Sequence, residues 1–283
     1  MIGLVVAAAL AASQPRSILF VGNSFTFGAM SDAMTYRKDS VTDLNGDGMG
    51  GVPALFKRFA DQSGLHYRVS LETSAGQTFA WHLANKRAVI DRRWDTVVLQ
   101  QYSTLDPDKP GDVASTLTAA QALTALLTAR NPRVDISLTA TWTRPDLTFP
   151  PGKPWSGRPV QRMAEDLRAA DDKVRAQVPA IRRVIPVGEA FNCAIARGIA
   201  DANPYDGIDP GKVDLWASDN YHASNAGYYL EALTVFAAVT HRDPRRLGAS
   251  ELAARDLGIA PKLATELQAV AYAMVARGRC SAP

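Results

Sequence analysis

A serine stands directly behind the first compact β-like run of the chain, in Gly22-Asn23-Ser24-Phe25-Thr26. At a strand-to-helix junction, with a small residue two positions earlier, a hydroxyl can project above a sheet while its own N–H faces a reacting carbonyl. Far along the chain, Asp219-Asn220-Tyr221-His222 places a carboxylate three residues before an imidazole. Such a carboxylate can turn back and accept from one ring nitrogen, which leaves the opposite nitrogen free to take a proton from a hydroxyl. Each motif has a plain reading on its own. Gly-x-Ser is a common tripeptide, and a loop histidine behind a capping aspartate is ordinary. Together they supply a nucleophile, a base and an orienting acid, provided the fold brings residue 24 to residue 222.

The elements that must do this are legible as an alternation. β-rich runs at 17–22, 67–73, 95–101, 134–142 and 183–187 are each bounded by charge, Gly or Pro, and stretches of helical period at 52–63, 78–92, 112–130, 160–178 and 190–202 lie between and after them. A further helix is expected at 223–240, beside His222, and two helical pieces at 250–256 and 261–277 close the chain. Five strands alternating with helices predict an α/β fold, a three-layer α/β/α sandwich on a five-stranded parallel sheet. Reactive groups then collect at the carboxyl ends of the strands. Ser24 lies after the first strand and His222 before the helix that follows the last crossover, so both can reach that edge. Two segments interrupt the pattern, the Gly-rich insertion 29–51 and the Pro-rich, aromatic loop 143–159. They are expected either to wall a cleft or to be plain surface loops.

Composition narrows the function. In 283 residues there are 31 basic and 28 acidic side chains, scattered along the chain for a net charge of +3, so no nucleic-acid footprint is expected. The apolar run 1–12, followed by Ser13, Gln14 and Pro15, is too short to span a bilayer. Ala9 and Ala11, or Ala11 and Ser13, offer an Ala-x-Ala-like cleavage site, so residues 1–13 read as a secretory signal and 14–283 as a single domain. One signal feature is missing, because no Lys or Arg precedes the run. The reading places the mature protein in the periplasm or outside the cell, with no stable membrane association after signal removal. Cys193 and Cys280 are the two cysteines; they could pair, but no structural role is expected of them.

On these residues the chain resembles the SGNH, or GDSL-like, esterases and lipases, whose fold is flavodoxin-like. Their first block looks like Ile18-Leu19-Phe20-Val21-Gly22-Asn23-Ser24 here, with Asn where many members have Asp, and their Asp-x-x-His block is matched by Asp219 and His222. Gly76, in Ser74-Ala75-Gly76-Gln77-Thr78, matches the glycine whose N–H donates to the oxyanion. The third block departs: where members carry Gly-x-Asn-Asp, this chain reads Leu99-Gln100-Gln101-Tyr102, like a subgroup with a Gln-rich third block. A glutamine amide can donate the missing bond. Strand alternation sends Gln100 and Gln101 to opposite faces, and Gln101, nearer the strand tip, is the expected donor beside Ser24 and Gly76. If neither reaches the hole, the oxyanion relies on the backbone of Ser24 and Gly76.

The resemblance implies acyl transfer by a Ser24–His222–Asp219 triad, with no metal or organic cofactor. The substrate is expected to be a small-molecule or glycan ester, with acetyl the favoured acyl group and Trp142 and Trp155, which flank the Pro-rich loop, offering faces for a sugar ring. An acyltransferase to a glycan hydroxyl and a non-catalytic carbohydrate-binding protein on the same scaffold are the rival readings. Asp43-Leu44-Asn45-Gly46-Asp47-Gly48 imitates the start of a calcium loop, but its twelfth position is Ala54 where a bidentate Glu is needed. His82 reads as a packed or surface residue and Glu189 as a helix-starting glutamate.

Overall fold

The first strand of the computed structural model, β1 (Arg16–Gly22), is buried on both sides. Ile18 and Phe20 enter one hydrophobic cluster while Leu19 and Val21 enter another. Side chains alternate across a strand, so two apolar faces require a layer of helices on each. The structure describes residues 14–280, and the expected signal segment 1–13 lies outside the described residues.

From β1 the chain continues through α1 (Ser24–Phe27), β2 (Thr42–Asp43), α2 (Gly51–Gln62), β3 (Tyr67–Thr73), α3 (Phe79–Asn85), α4 (Arg87–Ile90) and β4 (Thr96–Leu99). It then runs through α5 (Ala114–Arg130), β5 (Asp135–Ala140), α6 (Arg162–Gln177), β6 (Ile181–Pro186) and α7 (Val187–Ala196) before ending in α8 (Asn225–Thr240), α9 (Leu252–Asp256) and α10 (Pro261–Arg277). The strands form one parallel sheet in the order β2-β3-β1-β4-β5-β6. Residues of α2, α7, α8 and α10 fill the core on one face; α3, α5 and Val174 of α6 fill it on the other. The three-layer α/β sandwich is as expected from the alternation.

The sheet has six strands, not the five expected. The sixth is β2, two residues within the polar insertion 29–51, which pair as Thr42 with Ser70 and Asp43 with Leu71. Two residues carry no detectable alternation, so sequence period cannot reveal them. Just beyond β2, Leu44 N–H donates to Leu71 O, and the Asp43 carboxylate accepts from the N–H groups of Asn45 and Met49. The calcium-loop look-alike is thus an aspartate-stabilised turn at the sheet edge.

A second correction concerns the cysteines. Cys193 of α7 and Cys280, beyond the end of α10, form a disulfide with Cα atoms 5.4 Å apart. It ties the C-terminal segment to the helix layer, a structural role not expected from the sequence. Among the described residues, no helix is long and apolar enough to cross a membrane.

The chain leaves β1 on one side, to β3, and later returns on the other, to β4. Loops on opposite sides of a central strand open a crevice at its carboxyl end. Ser24 begins at that end, with the 74–78 and 100–113 loops beside it.

Candidate active site

The junction after β1 is held by side chains that leave little freedom. Asn23 caps α1: its Oδ1 accepts from Phe25 N–H at 3.2 Å, while its Nδ2 donates to Gln77 O at 3.2 Å and Gln101 O at 3.4 Å. An aspartate could make the cap but could not donate, so asparagine here joins the serine turn to the loops on both sides. Gly22 is required by close approach, since an added Cβ would stand 2.1 Å from Thr26 Oγ1. Ser24 is buried at 4% exposure and opens α1, so its N–H precedes the helical ladder and needs no helical acceptor. Tyr228 of α8 holds the turn from beneath, its hydroxyl donating to Ser24 O at 3.3 Å and Ala29 O at 3.1 Å.

Across from this turn lies the acid–base loop. Asp219 Oδ2 stands 2.6 Å from His222 Nδ1, and its Oδ1 accepts from the N–H groups of Tyr221 and His222 at 3.0 and 2.9 Å. Asn220, at φ 54°, makes the turn that brings the carboxylate back; asparagine tolerates this left-handed region better than most residues. Burial pushes the Asp219 carboxyl up, but the bonds from the His222 ring and the two N–H groups hold it below its ordinary value. His222 Nε2 is buried and has no hydrogen-bond partner among the described residues. The His222 ring sits edge-on to Phe25, the residue after Ser24, with centroids 5.7 Å apart.

The loop is braced from its other side by residues the sequence did not flag. Arg144 lies over the Tyr221 ring at 3.6 Å, grips Asp146 through two nitrogens at 3.1 and 2.7 Å, and donates to Ser103 Oγ at 3.1 Å. Asp146 N–H donates in turn to Asn220 O. The Pro-rich loop therefore docks onto the acid–base loop. An arginine among prolines carries no periodicity or motif, so nothing in the sequence points to it.

The third block behaves differently from its expected role. Gln101 Oε1 accepts from Phe79 and Tyr102 N–H, both at 2.9 Å, and its Nε2 donates to Thr116 Oγ1 at 2.9 Å. Its oxygen and one of its two amide hydrogens are engaged by α3, α5 and its own loop, so the amide serves as a brace of these elements. Gln100 turns to the opposite side, as alternation predicts; its Oε1 accepts from Asn23 N–H and Thr26 Oγ1, and its Nε2 donates to Gln101 O. Both glutamines brace the serine turn. Gly76 is exposed at φ 68°, with nothing within 4 Å of an added Cβ.

The two tryptophans are also corrected. Trp142 is wholly buried, stacked between Phe25 at 4.0 Å and Phe191 at 5.1 Å, with its N–H donated to Tyr221 O. Trp155 lies in a small core with Leu105, Met163 and Leu167 and donates to Asp166. Trp142 offers no face to a ligand, whereas Trp155 borders a surface cavity with Pro110, Arg158 and Arg162. The aromatic ring most open to solvent is Tyr205, 48% exposed and packed on Phe149 of the Pro-rich loop. Glu189 opens α7 as expected and pairs with Arg168 at 2.6 Å, while His82 is wholly buried. Among the described residues, no group of three or more His, Cys, Asp or Glu side chains is gathered as a metal site.

No protein-family model and no curated protein matches this sequence. Solved structures do. A DUF4886 family protein from Bacteroides uniformis superposes with a TM-score of 0.63 at 18% identity, over 95% of this chain and 98% of that one. A protein described as a GDSL-like lipase, from Parabacteroides merdae, gives 0.56 at 17% identity, over 81% and 96%. An acetylxylan esterase from Geobacillus stearothermophilus, solved as a catalytic mutant, gives 0.50 at 16% identity, over 77% and 91%. At these identities the likeness is one of fold.

Proposed function

We propose that this chain, which has the fold of the GDSL-like hydrolases, is an exported serine esterase that removes a small acyl group, acetyl foremost, from a carbohydrate. The observation that carries the reading is the Asp219–His222 pair, 2.6 Å apart, whose free ring nitrogen is buried beside the Ser24 turn. A histidine oriented in this way by a carboxylate has the tautomer that takes a proton at Nε2.

In this reaction His222 Nε2 takes the Ser24 hydroxyl proton as Oγ attacks the ester carbonyl. The N–H groups of Ser24 and Gly76 receive the oxyanion. Collapse breaks the bond to the alcohol, which leaves with the proton from His222. Water, deprotonated by the same nitrogen, then attacks the acyl-enzyme, so the acid departs and Ser24 regains its proton. Asp219 stays ionised throughout and stabilises the imidazolium. The acetylxylan esterase of the same fold supports the carbohydrate ester as substrate, and the disulfide supports an oxidising compartment.

The test is hydrolysis of nitrophenyl acetate and of an acetylated xylo-oligosaccharide by the purified protein. Ser24→Ala and His222→Ala should each lower turnover by about 10⁴-fold or more, and the double variant little further, because the side chains serve one step. A Ser24→Ala protein that hydrolyses both esters at the wild-type rate would refute the triad.

A further inference from the structure

Two titratable side chains with no part in the proposed reaction are wholly buried behind the site. Glu72 and His82 are both 0% exposed, and Glu72 Oε2 lies 2.6 Å from His82 Nδ1, a close pairing without hydrogen-bond geometry, while His82 Nε2 has no hydrogen-bond partner among the described residues. Glu72 is the last residue but one of β3 and His82 the fourth residue of α3. The pair therefore closes the base of segment 74–78, the loop that presents Gly76.

Burying such a pair is costly, and well-packed apolar residues of similar volume often serve stability as well or better. Stability alone therefore does not account for it; its placement does. Asn45 reaches in from the edge of the sheet, its Nδ2 donating to Thr73 O at 2.7 Å and to Glu72 Oε1 at 3.4 Å. Asn23 holds the far side of the loop through Gln77 O, Ser74 N–H donates to Gly22 O, and Gln101 Oε1 receives Phe79 N–H. Each of these ties fixes backbone near Gly76 and leaves Gly76 itself, at φ 68°, exposed.

We infer that Glu72 and His82 are positioning residues, a buried clasp that fixes the 74–78 loop so that the Gly76 N–H points to the Ser24 site. Its kinetic consequence rests on the esterase reading; the holding of the loop does not. In that reading Gly76 is one of the two backbone donors to the oxyanion, beside Ser24. A small shift of this loop then weakens transition-state binding and leaves ground-state binding nearly unchanged.

The experiment follows amide exchange and kinetics in the full chain. In the wild type, the amides of Ser74, Gln77 and Phe79 should exchange on the slow timescale of the adjoining strands. If they exchange as freely as exposed loop amides, the clasp is refuted with no variant needed. The double change Glu72→Met with His82→Phe removes the pair without orphaning either partner. It should speed exchange at those amides by about tenfold or more while β1 and β4 are unaltered. It should also lower kcat for nitrophenyl acetate about tenfold to a hundredfold, with KM within about twofold. Glu72→Gln, whose single oxygen stays with Asn45 Nδ2 while its N–H₂ faces His82 Nδ1, should restore kcat to within about threefold of wild type. Exchange that rises equally throughout the molecule, unchanged loop exchange, or failure of Glu72→Gln to rescue would each overturn the inference. If Ser24→Ala shows that the wild type is no esterase, that reading falls alone, because the exchange measurement still decides the clasp.

Discussion

At the scale of residues, the serine turn is specified by hydrogen-bond capacity rather than by charge. Asn23 accepts from one backbone group and donates to two, and the two glutamines of the third block divide their amides between the turn and the helices behind it. This makes Gln101 a brace, which fixes what its loss should do. Gln101→Ala leaves the N–H groups of Phe79 and Tyr102 without this acceptor, while the Thr116 hydroxyl keeps its bond to Leu105 O. Each orphaned group costs about 1–3 kcal/mol, so unfolding should show a loss in that range or above it. Turnover of the folded fraction at permissive temperature should change by less than about tenfold, whereas losing a direct oxyanion donor costs about 10²- to 10³-fold. That Ser24 follows β1 and that Asp219 turns back onto His222 were legible because residue type, spacing and place in the alternation agreed. The work of Gln101 was not, because alternation tells which face an amide takes and says nothing of which neighbours already need it.

At the scale of elements, α8 shows what burial on every side imposes. All its residues from Ala226 to Val239 are buried, and Glu231 sits among them at 2% exposure, its Oε2 without a hydrogen-bond partner among the described residues. Burial alone pushes the Glu231 carboxyl well above its ordinary value. In the unfolded chain this group loses its proton at ordinary carboxylate pH, whereas in the folded chain it keeps the proton to a higher pH. Between those two values the native state binds more protons, so Glu231 lowers stability as pH rises through the window. Glu231→Gln keeps the shape and removes the titration. The variant should therefore gain in melting temperature over wild type at pH 8, and the gain should shrink toward pH 4; an equal difference at both pH values would show that Glu231 titrates as in the unfolded chain. The helix was plain in the sequence, and its cap, Ser224 Oγ accepting from Gly227 N–H, lies where the His222 loop ends. β2 was hidden because its pairing with β3 is decided by the sheet, not by its own two residues.

At the scale of the whole molecule, one parallel sheet brings together residues nearly two hundred positions apart, and one covalent bond secures the segment that returns the histidine. The Cys193–Cys280 disulfide closes a span of 87 residues that includes Asp219, His222 and all of α8. Two lone cysteines so far apart give no spacing signal, and only the packing of α10 beside α7 brings them within reach. In the chain-entropy account, a loop of that length is worth roughly 4 to 5 kcal/mol through restriction of the unfolded chain. For a domain of this size, each kcal/mol moves the midpoint by about 2–4 °C, so Cys193→Ala with Cys280→Ala should melt roughly 10 to 15 °C lower. Reduction of the wild type should reproduce the shift, and reduction of the double variant should do nothing. Because the bond acts on the unfolded chain and lies apart from the Ser24 turn, the esterase rate of the double variant at 25 °C should stay within about twofold of wild type. A variant that melts with the wild type would show that the unfolded chain already holds this segment close. One that keeps its melting point but loses turnover would assign the bond to the site instead of to the fold.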